Sequence, residues 1–371
     1  MSFFSSKNKI KDGFHVVVEI LDSSIVFSVL VVKGKNYGEL ATLSLKHRLL
    51  PANDLPSAEV NKISALLAEG FAFLAKEVKT KSRKKNKIKI ESAAVILFPP
   101  WFVLEKRENI LIGKPGQINS VSKKMVEEVL LDTRKDSVIE AFVENITLNG
   151  YKVSNPIDKK GKDIRASASL YAVPGALFRC LEKDVGFHTG IKPTIMTSPK
   201  ACALFCLTHL LKPPVLLLDV ESETTCLYSI LAGFSFDVSA VQPPIYFVQS
   251  TDLGLNQIIK NIMHKSDSEV EVAGSYLRLL DEDLLSDNAS VLIKSACDET
   301  LQNWKLKVNS AMAQIILPFD FSKYKKFILS RDPKFGGMFR KTLNQGLLEP
   351  DLFESGVSIK QVVFESSLIG V

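Results

Sequence analysis

The chain has 371 residues, 46% of them hydrophobic and 24% charged, with a net charge of +6 and five cysteines. That length exceeds one core of about 150 residues and the apolar share excludes global disorder, so two or three structural units are expected. The cysteines are odd in number and scattered, which argues against a disulfide framework or a zinc ribbon and for a reducing compartment.

From the N-terminus, Met1 to Gly13 carries lysines with no apolar run behind them. No stretch reaches the roughly 20 apolar residues of a membrane span, since Val16 to Val32 is broken by Glu19 and Asp22. Phe14 to Leu50 is strand-rich, with a turn at Lys33-Gly34-Lys35-Asn36. An amphipathic helix over Ala58 to Lys76 leads to a buried strand, Ile90 to Phe98. Between them, Lys76 to Lys89 sets eight lysines and arginines against Glu77 alone, so most of the net charge is local. Such a run could meet anionic lipid or nucleic acid, but no aromatic residues interleave to stack on bases. A solvated connection is the stronger reading, and nucleic acid is not an expected partner.

Farther along, a helix is expected near Ser122 to Arg134 with Ser122 as its N-cap, and a strand around Val143 to Leu148. Thr197-Ser198-Pro199 opens a short apolar helix through Leu211. Cys202, Cys206 and His209 recur there at helical spacing, but Ala201, Leu204, Phe205, Leu207 and Leu210 around them read as core rather than as a metal site. After Pro213-Pro214, Leu216-Leu217-Leu218 runs into Asp219, a polar turn carries Thr224-Thr225, and an alternating strand leads to Ile230 and the turn Ala232-Gly233. Helices follow at Leu255 to Lys265, Ser268 to Asp283 and Asp287 to Ile316, then a strand, Lys325 to Ser330, and a helix near Met338 to Gln345. In the long helix Trp304, with Leu301, Leu306, Val308, Met312 and Ile315, is expected to belong to the core and to offer an interface. The five histidines pair with no Ser or Cys nucleophile motif, so hydrolase chemistry has no support.

Four places in this order resemble the actin-like ATPase superfamily, in its FtsA/PilM-like branch. Glu19-Ile20-Leu21-Asp22-Ser23-Ser24 resembles the first phosphate loop, with Glu for Asp and Leu21 for Gly. Leu148-Asn149-Gly150-Tyr151 with Asn155-Pro156 resembles the inserted SHS2-type subdomain of that branch. Asp219 to Thr225 resembles the second phosphate hairpin, and Asp252-Leu253-Gly254-Leu255 the turn that opens the next helix. The resemblance covers nearly the whole chain. It implies an α/β, actin-like (ribonuclease H-like) duplicated fold with mixed sheets, two lobes around a cleft and a small inserted α+β subdomain. The expected division is 1–100 for the first lobe, 101–187 for the insert, 188–212 for the return and 213–371 for the second lobe. Strand-hairpin units 200 residues apart, at Glu19 and Asp219, fit that duplication.

The resemblance places Glu19, Ser23, Ser24, Asp219, Thr224, Thr225 and Gly254 at a nucleotide cleft. Backbone amides must approach phosphate oxygens there with no Cβ between, which is why the family uses glycine. Leu21, Glu221 and Ser222 occupy those places, and Glu221 and Glu223 are expected to point toward a triphosphate. Two like charges about 4 Å apart repel by roughly 1 kcal/mol in water and about 4 at a protein surface. Each 1.4 kcal/mol is about tenfold in affinity. On the adenosine side, Ser330-Arg331-Asp332-Pro333 stands where the family has a Gly-Gly turn, and Gly336-Gly337 comes a few residues later.

These losses point to a degenerate ATPase with no cofactor, neither catalytic nor metal-binding. Mg-ATP held as a ligand is the alternative. The resemblance implies a cytoplasmic scaffold, peripheral at the inner membrane, that docks the cytoplasmic tail of an inner-membrane pilus or envelope assembly protein. The rival is an ATP-binding FtsA-like protein that self-associates into polymers in cell division. Relatives of that kind end in an amphipathic membrane helix, whereas Ile359 to Phe364 is a short β-like pattern.

Overall fold

The computed structural model describes residues 12–33, 36–47, 56–81, 89–114, 116–122, 124–125, 138–153, 156–205, 215–230, 246–251, 253–282, 284–314, 325–330, 338–339 and 341–343. Its elements fall into two compact units, one ending at Phe205 and the other built on the strands and helices from Val215 onward.

The first unit begins with the hairpin β1 (Gly13–Ile20) and β2 (Ser24–Lys33), followed by β3 (Asn36–Lys46), α1 (Ser57–Lys81) and β4 (Ile90–Leu97). An inserted stretch then supplies β5 (Val103–Leu111), β6 (Asn119–Ser120), β7 (Val138–Leu148), β8 (Tyr151–Lys152), β9 (Lys160–Gly161) and β10 (Ile164–Ala172). The chain continues with α2 (Gly175–Thr189), β11 (Thr194–Thr197) and α3 (Ser198–Phe205). The main sheet runs in the order β11-β4-β1-β2-β3, antiparallel through the two hairpins and parallel between β1 and β4 and between β4 and β11. β1 and β4 are buried along nearly their whole length, which explains why both read as continuous apolar runs rather than alternating ones.

α1 buries Ile63, Leu67, Gly70, Phe71, Leu74 and Val78, one stripe at three- and four-residue spacing, and packs on β2 and β3. Phe71 meets Phe27 of β2 edge to face at 5.6 Å. Gly70 is where the helix comes closest: a Cβ there would lie 2.4 Å from the Phe27 ring. Alanine normally gains about 1 kcal/mol over glycine inside a helix. Here overpacking reverses the sign, and Gly70→Ala is expected to lower stability by about 1–2 kcal/mol in a denaturant titration. A stabilised variant would contradict the packing.

The insert forms its own sheet, β5-β10-β7-β8, over a core of Ile112, Val121, Ile146, Leu148, Ile164 and Leu170. The Met125 N–H donates to Ser122 Oγ at 3.2 Å, as expected of an N-cap, while residues 126–134 of the expected helix lie outside the described residues. Glu140 of β7 joins insert and main sheet. Its carboxylate accepts the Thr197 N–H at 2.9 Å and the Thr197 hydroxyl at 2.5 Å, just ahead of α3. α2 packs against α1 and β4, so the chain has returned to the main sheet by about residue 175.

The second unit holds β12 (Val215–Val220), β13 (Thr225–Ile230), β14 (Tyr246–Thr251), α4 (Leu255–Ser266), α5 (Val270–Asp281), α6 (Asp287–Gln314) and β15 (Lys325–Ser330), with residues 338–339 and 341–343 helical. Its sheet order is β14-β13-β12-β15, with β12 parallel to β15. Leu216, Leu218, Leu227, Ile258, Ile262 and Trp304 lie in one core, with Leu301 and Val308 in it and Met312 packed against it, whereas Leu306, expected there, is 69% exposed because it falls on the opposite face of its helix.

The two sheets repeat one plan. In each, a hairpin's first strand pairs parallel with a later strand and its second strand pairs antiparallel with the next. The registers match residue for residue at an offset of 200: Glu19 faces Val26 and Ile20 faces Ile25, as Asp219 faces Cys226 and Val220 faces Thr225. Both turns close with the same bond, Leu21 N–H to Ser24 O and Glu221 N–H to Thr224 O, each 2.9 Å.

No helix among the described residues is long and apolar enough to cross a membrane.

Candidate functional site

The site residues expected from the sequence fall into two groups, one at each hairpin turn. At the first, Glu19 is buried in β1 and Leu21 is buried beside it. Ser23 and Ser24 sit half-exposed at the tip, where the Ser23 hydroxyl donates to Asp22 Oδ1 at 3.0 Å. Two neighbours missed in the sequence hold this turn. Trp101, fully buried just after β4, donates its indole N–H to the Leu21 carbonyl. His47, at the end of β3, donates its backbone N–H to Ser23 O at 2.9 Å and sets its ring edge-on to Trp101 at 5.7 Å.

Burial holds the His47 imidazole below its ordinary value of 6.5, against the opposing pull of backbone hydrogen bonds at Ser24 and Leu21 and the charge of Asp22. A base with a lowered folded pKa resists protonation that the unfolded chain accepts. As pH falls below 6.5, the unfolded state therefore binds more protons and stability is lost. Unfolding midpoints at about pH 7.5 and about pH 5.5 should differ more in the wild type than in His47→Asn. Equal slopes would contradict this.

At the second hairpin, Asp219 is fully buried, with the Tyr228 hydroxyl donating to Asp219 Oδ2 at 3.4 Å. Cys226 lies across from Asp219, and its thiol is pushed well above the usual range by burial, then by the charges of Asp219 and Glu221. Burial likewise pushes Cys180 and Cys297 up to about 12, so none of the three thiols is poised as a nucleophile. Cys202 is buried, in keeping with a core role, while Cys206 and His209 lie outside the described residues.

The tip of this hairpin is clasped by the start of α4. A Cβ on Gly254 would lie 2.5 Å from both the Glu221 and the Ser222 carbonyl oxygens and 2.7 Å from the Glu223 carbonyl carbon. The glycine thus lets the tip rest on the helix entry. The N–H groups of Leu255 and Asn256 donate to Glu221 O at 3.0 Å and Ser222 O at 2.7 Å. These are first-turn amides that have no partner within their own helix and would otherwise attract an anion.

Glu223 differs from the sequence expectation. Its carboxylate turns back onto α4, accepting from Asn256 Nδ2 at 2.9 Å and Lys260 Nζ at 3.1 Å. Asn256 and Lys260 stand four apart, on one helical face, and offer a local partner for that charge. Glu221 is buried at 2% exposure. Thr225 is a junction: its hydroxyl donates to Leu253 O at 2.7 Å and accepts the Trp304 indole N–H at 2.9 Å. Asp252, the turn Ala232-Gly233, the pair Gly336-Gly337 and the stretch Ile359 to Phe364 all lie outside the described residues.

No family model matches the chain. No curated protein matches it either. Among solved structures it is similar to a chain of a PilM-PilN type IV pilus biogenesis complex, at 15% identity over 98% of this chain and 99% of that one, with a TM-score of 0.51. It is also similar to the ethanolamine utilization protein EutJ from Carboxydothermus hydrogenoformans, at 10% identity over 98% and 91% of the two chains, TM-score 0.49. A protein with actin-like ATPase fold from Bacteroides thetaiotaomicron VPI-5482 overlays at 7% identity over 96% of each chain, TM-score 0.42. The fold is α/β and actin-like, a duplicated arrangement of mixed sheets with an inserted stretch that forms a sheet of its own.

Proposed function

We propose that this chain is a cytoplasmic scaffold of the PilM type, with little or no affinity for nucleotide, that docks the tail of an inner-membrane pilus or envelope assembly protein. The observation that carries the reading is the closed second hairpin. Its two tip carbonyls already occupy the helix amides, Gly254 leaves no space beneath the tip, and the Thr225 hydroxyl is committed to Leu253 and Trp304. Leu21 and Glu221 put buried side chains where the resemblance calls for glycine. These residues do not fit a triphosphate, so no chemical step is assigned to one.

An actin-like fold without a working seat for its ligand is retained for its surfaces. The likeness to a chain of a PilM-PilN pilus biogenesis complex, over nearly the full length of both chains, supports a docking role. Purification of the tagged full chain from detergent-solubilised membranes tests it. The expected result is a co-purifying single-pass protein whose synthetic cytoplasmic segment then binds the chain in calorimetry. Recovery of the chain without a membrane protein contradicts the docking role. Pelleting at high concentration only with Mg-ATP contradicts it too, in favour of a polymerising ATPase.

A further inference from the structure

One end of the inserted sheet gathers three segments from distant parts of the chain. The β7–β8 turn, Asn149-Gly150-Tyr151, has positive φ at its first two residues, 51° and 83°, the conformation of a tight two-residue hairpin turn. The Asn149 side-chain oxygen accepts the N–H groups of Lys162 at 2.9 Å and Asp163 at 3.1 Å, which ties the turn to the β9–β10 connection. That connection pairs in turn with the loop after β5: Asn119 faces Gly161, Ser120 faces Lys160, and the Val121 N–H donates to Lys159 O at 2.9 Å. Asn119 Nδ2 also donates to the carbonyls of Lys114 and Gln117, both at 3.0 Å, and fixes the loop that carries Ile118.

The surface this builds is unusual in two respects at once. Tyr151, the first residue of β8, is 78% exposed, and Ile118, just before β6, is 66% exposed, both at the rim of a small sheet whose own core is closed by other residues. Around them Lys114, Lys159, Lys160 and Lys162 are all exposed. Among the described residues of these three segments the acids are Asp158 and Asp163, and Asp163 is bound to Arg165 at 2.9 and 3.1 Å. The described residues at this end of the insert are therefore cationic, with Tyr151 and Ile118 as protruding apolar tips.

We propose that this end of the insert docks on an anionic lipid surface, with Tyr151 and Ile118 entering the interfacial layer and Lys114, Lys159, Lys160 and Lys162 facing the headgroups. Tyrosine favours the membrane interface because its ring is apolar and its hydroxyl stays wet. Lysine keeps an apolar stem beneath a charge that can remain in the headgroup region. Each lysine near an anionic surface is worth about fivefold in partitioning. A single-stranded nucleic acid fits less well, since it needs several aromatic platforms in succession and the described residues of this surface offer one, Tyr151. The inference concerns the insert and does not depend on the docking of a partner tail.

Co-sedimentation of the full chain with vesicles of equimolar phosphatidylcholine and phosphatidylglycerol tests it, beside vesicles of phosphatidylcholine alone. The wild type should bind only the anionic vesicles. Lys159→Gln, Lys160→Gln and Lys162→Gln together should lower partitioning by roughly 100-fold. Ile118→Ser with Tyr151→Ser should lower it by roughly tenfold with the charge unchanged. All these side chains are exposed, so the thermal melts should match the wild type. Absence of wild-type binding overturns the proposal, as does binding that both sets of variants retain, which would place the contact on the basic run from Lys76 to Lys89. Tighter binding to a single-stranded polynucleotide than to the vesicles also overturns it.

Discussion

Trp304→Ala is expected to destabilise the second unit by about 4 kcal/mol, the largest single effect anticipated in this chain. Trp304 is 1% exposed in the middle of α6, its ring lies 4.7 Å from that of Phe339, and its indole N–H reaches Thr225 Oγ1 at 2.9 Å. Alanine removes the largest side chain of that core and leaves a cavity that the surrounding helices can only partly close. Trp304→Phe keeps most of the ring and should cost less, about 1–2 kcal/mol. Thr225→Val supplies the informative contrast. If its hydroxyl is a structural junction, valine leaves the Leu253 carbonyl and the Trp304 N–H without that partner and costs about 2 kcal/mol. If the hydroxyl were instead reserved for a ligand, stability would hardly change. Denaturant unfolding followed by circular dichroism reads all three variants, and a silent Thr225→Val would contradict the junction.

Gly254→Ala should be nearly as severe, at roughly 3 kcal/mol, for a different physical reason. The added methyl would meet three backbone atoms at 2.5, 2.5 and 2.7 Å, and backbone cannot turn aside as a side chain can. The tip must lift away, which breaks the bonds from the Leu255 and Asn256 N–H groups to Glu221 O and Ser222 O. Glycine is also well tolerated just before a helix, where alanine is poor. The melting temperature of the transition that includes this unit should fall by on the order of 10 °C. Glu223→Gln, which weakens an exposed ion pair with Lys260, should by comparison change stability by less than about 1 kcal/mol. If the order of these two effects were reversed, the side-chain pair rather than the backbone would be holding the hairpin.

Local pattern carried much of the fold. β15 spans Lys325–Ser330, as its apolar run between charged ends implied, and the helices starting at Leu255 and Asp287 begin where their flanking turn residues place them. The hairpins at Glu19 and Asp219 could be read because an apolar run, an acid and a short polar turn recur in the same order. β14 was not legible: Tyr246–Thr251 follows Pro243-Pro244, and its strand character comes from pairing with β13.

Contacts across long sequence separations were illegible for a related reason. Trp101 meets Leu21 from 80 residues away and Trp304 meets Thr225 from 79, and neither tryptophan's own neighbourhood shows it. Glu223 is the instructive difference at the site itself. Its position in the turn suggested a charge facing a phosphate, but Asn256 and Lys260, one turn apart on α4, give the carboxylate a nearer partner. Which way a turn side chain leans is settled by the helix packed behind it.

Isothermal titration of the full chain with Mg-ATP is the most direct test of whether this chain holds a nucleotide. With the second hairpin closed on α4 and Leu21 and Glu221 buried at the loop positions, the heats should give no dissociation constant tighter than about 100 μM. A constant in the low micromolar range or below would mean that the chain binds nucleotide after all, and the scaffold account would fail.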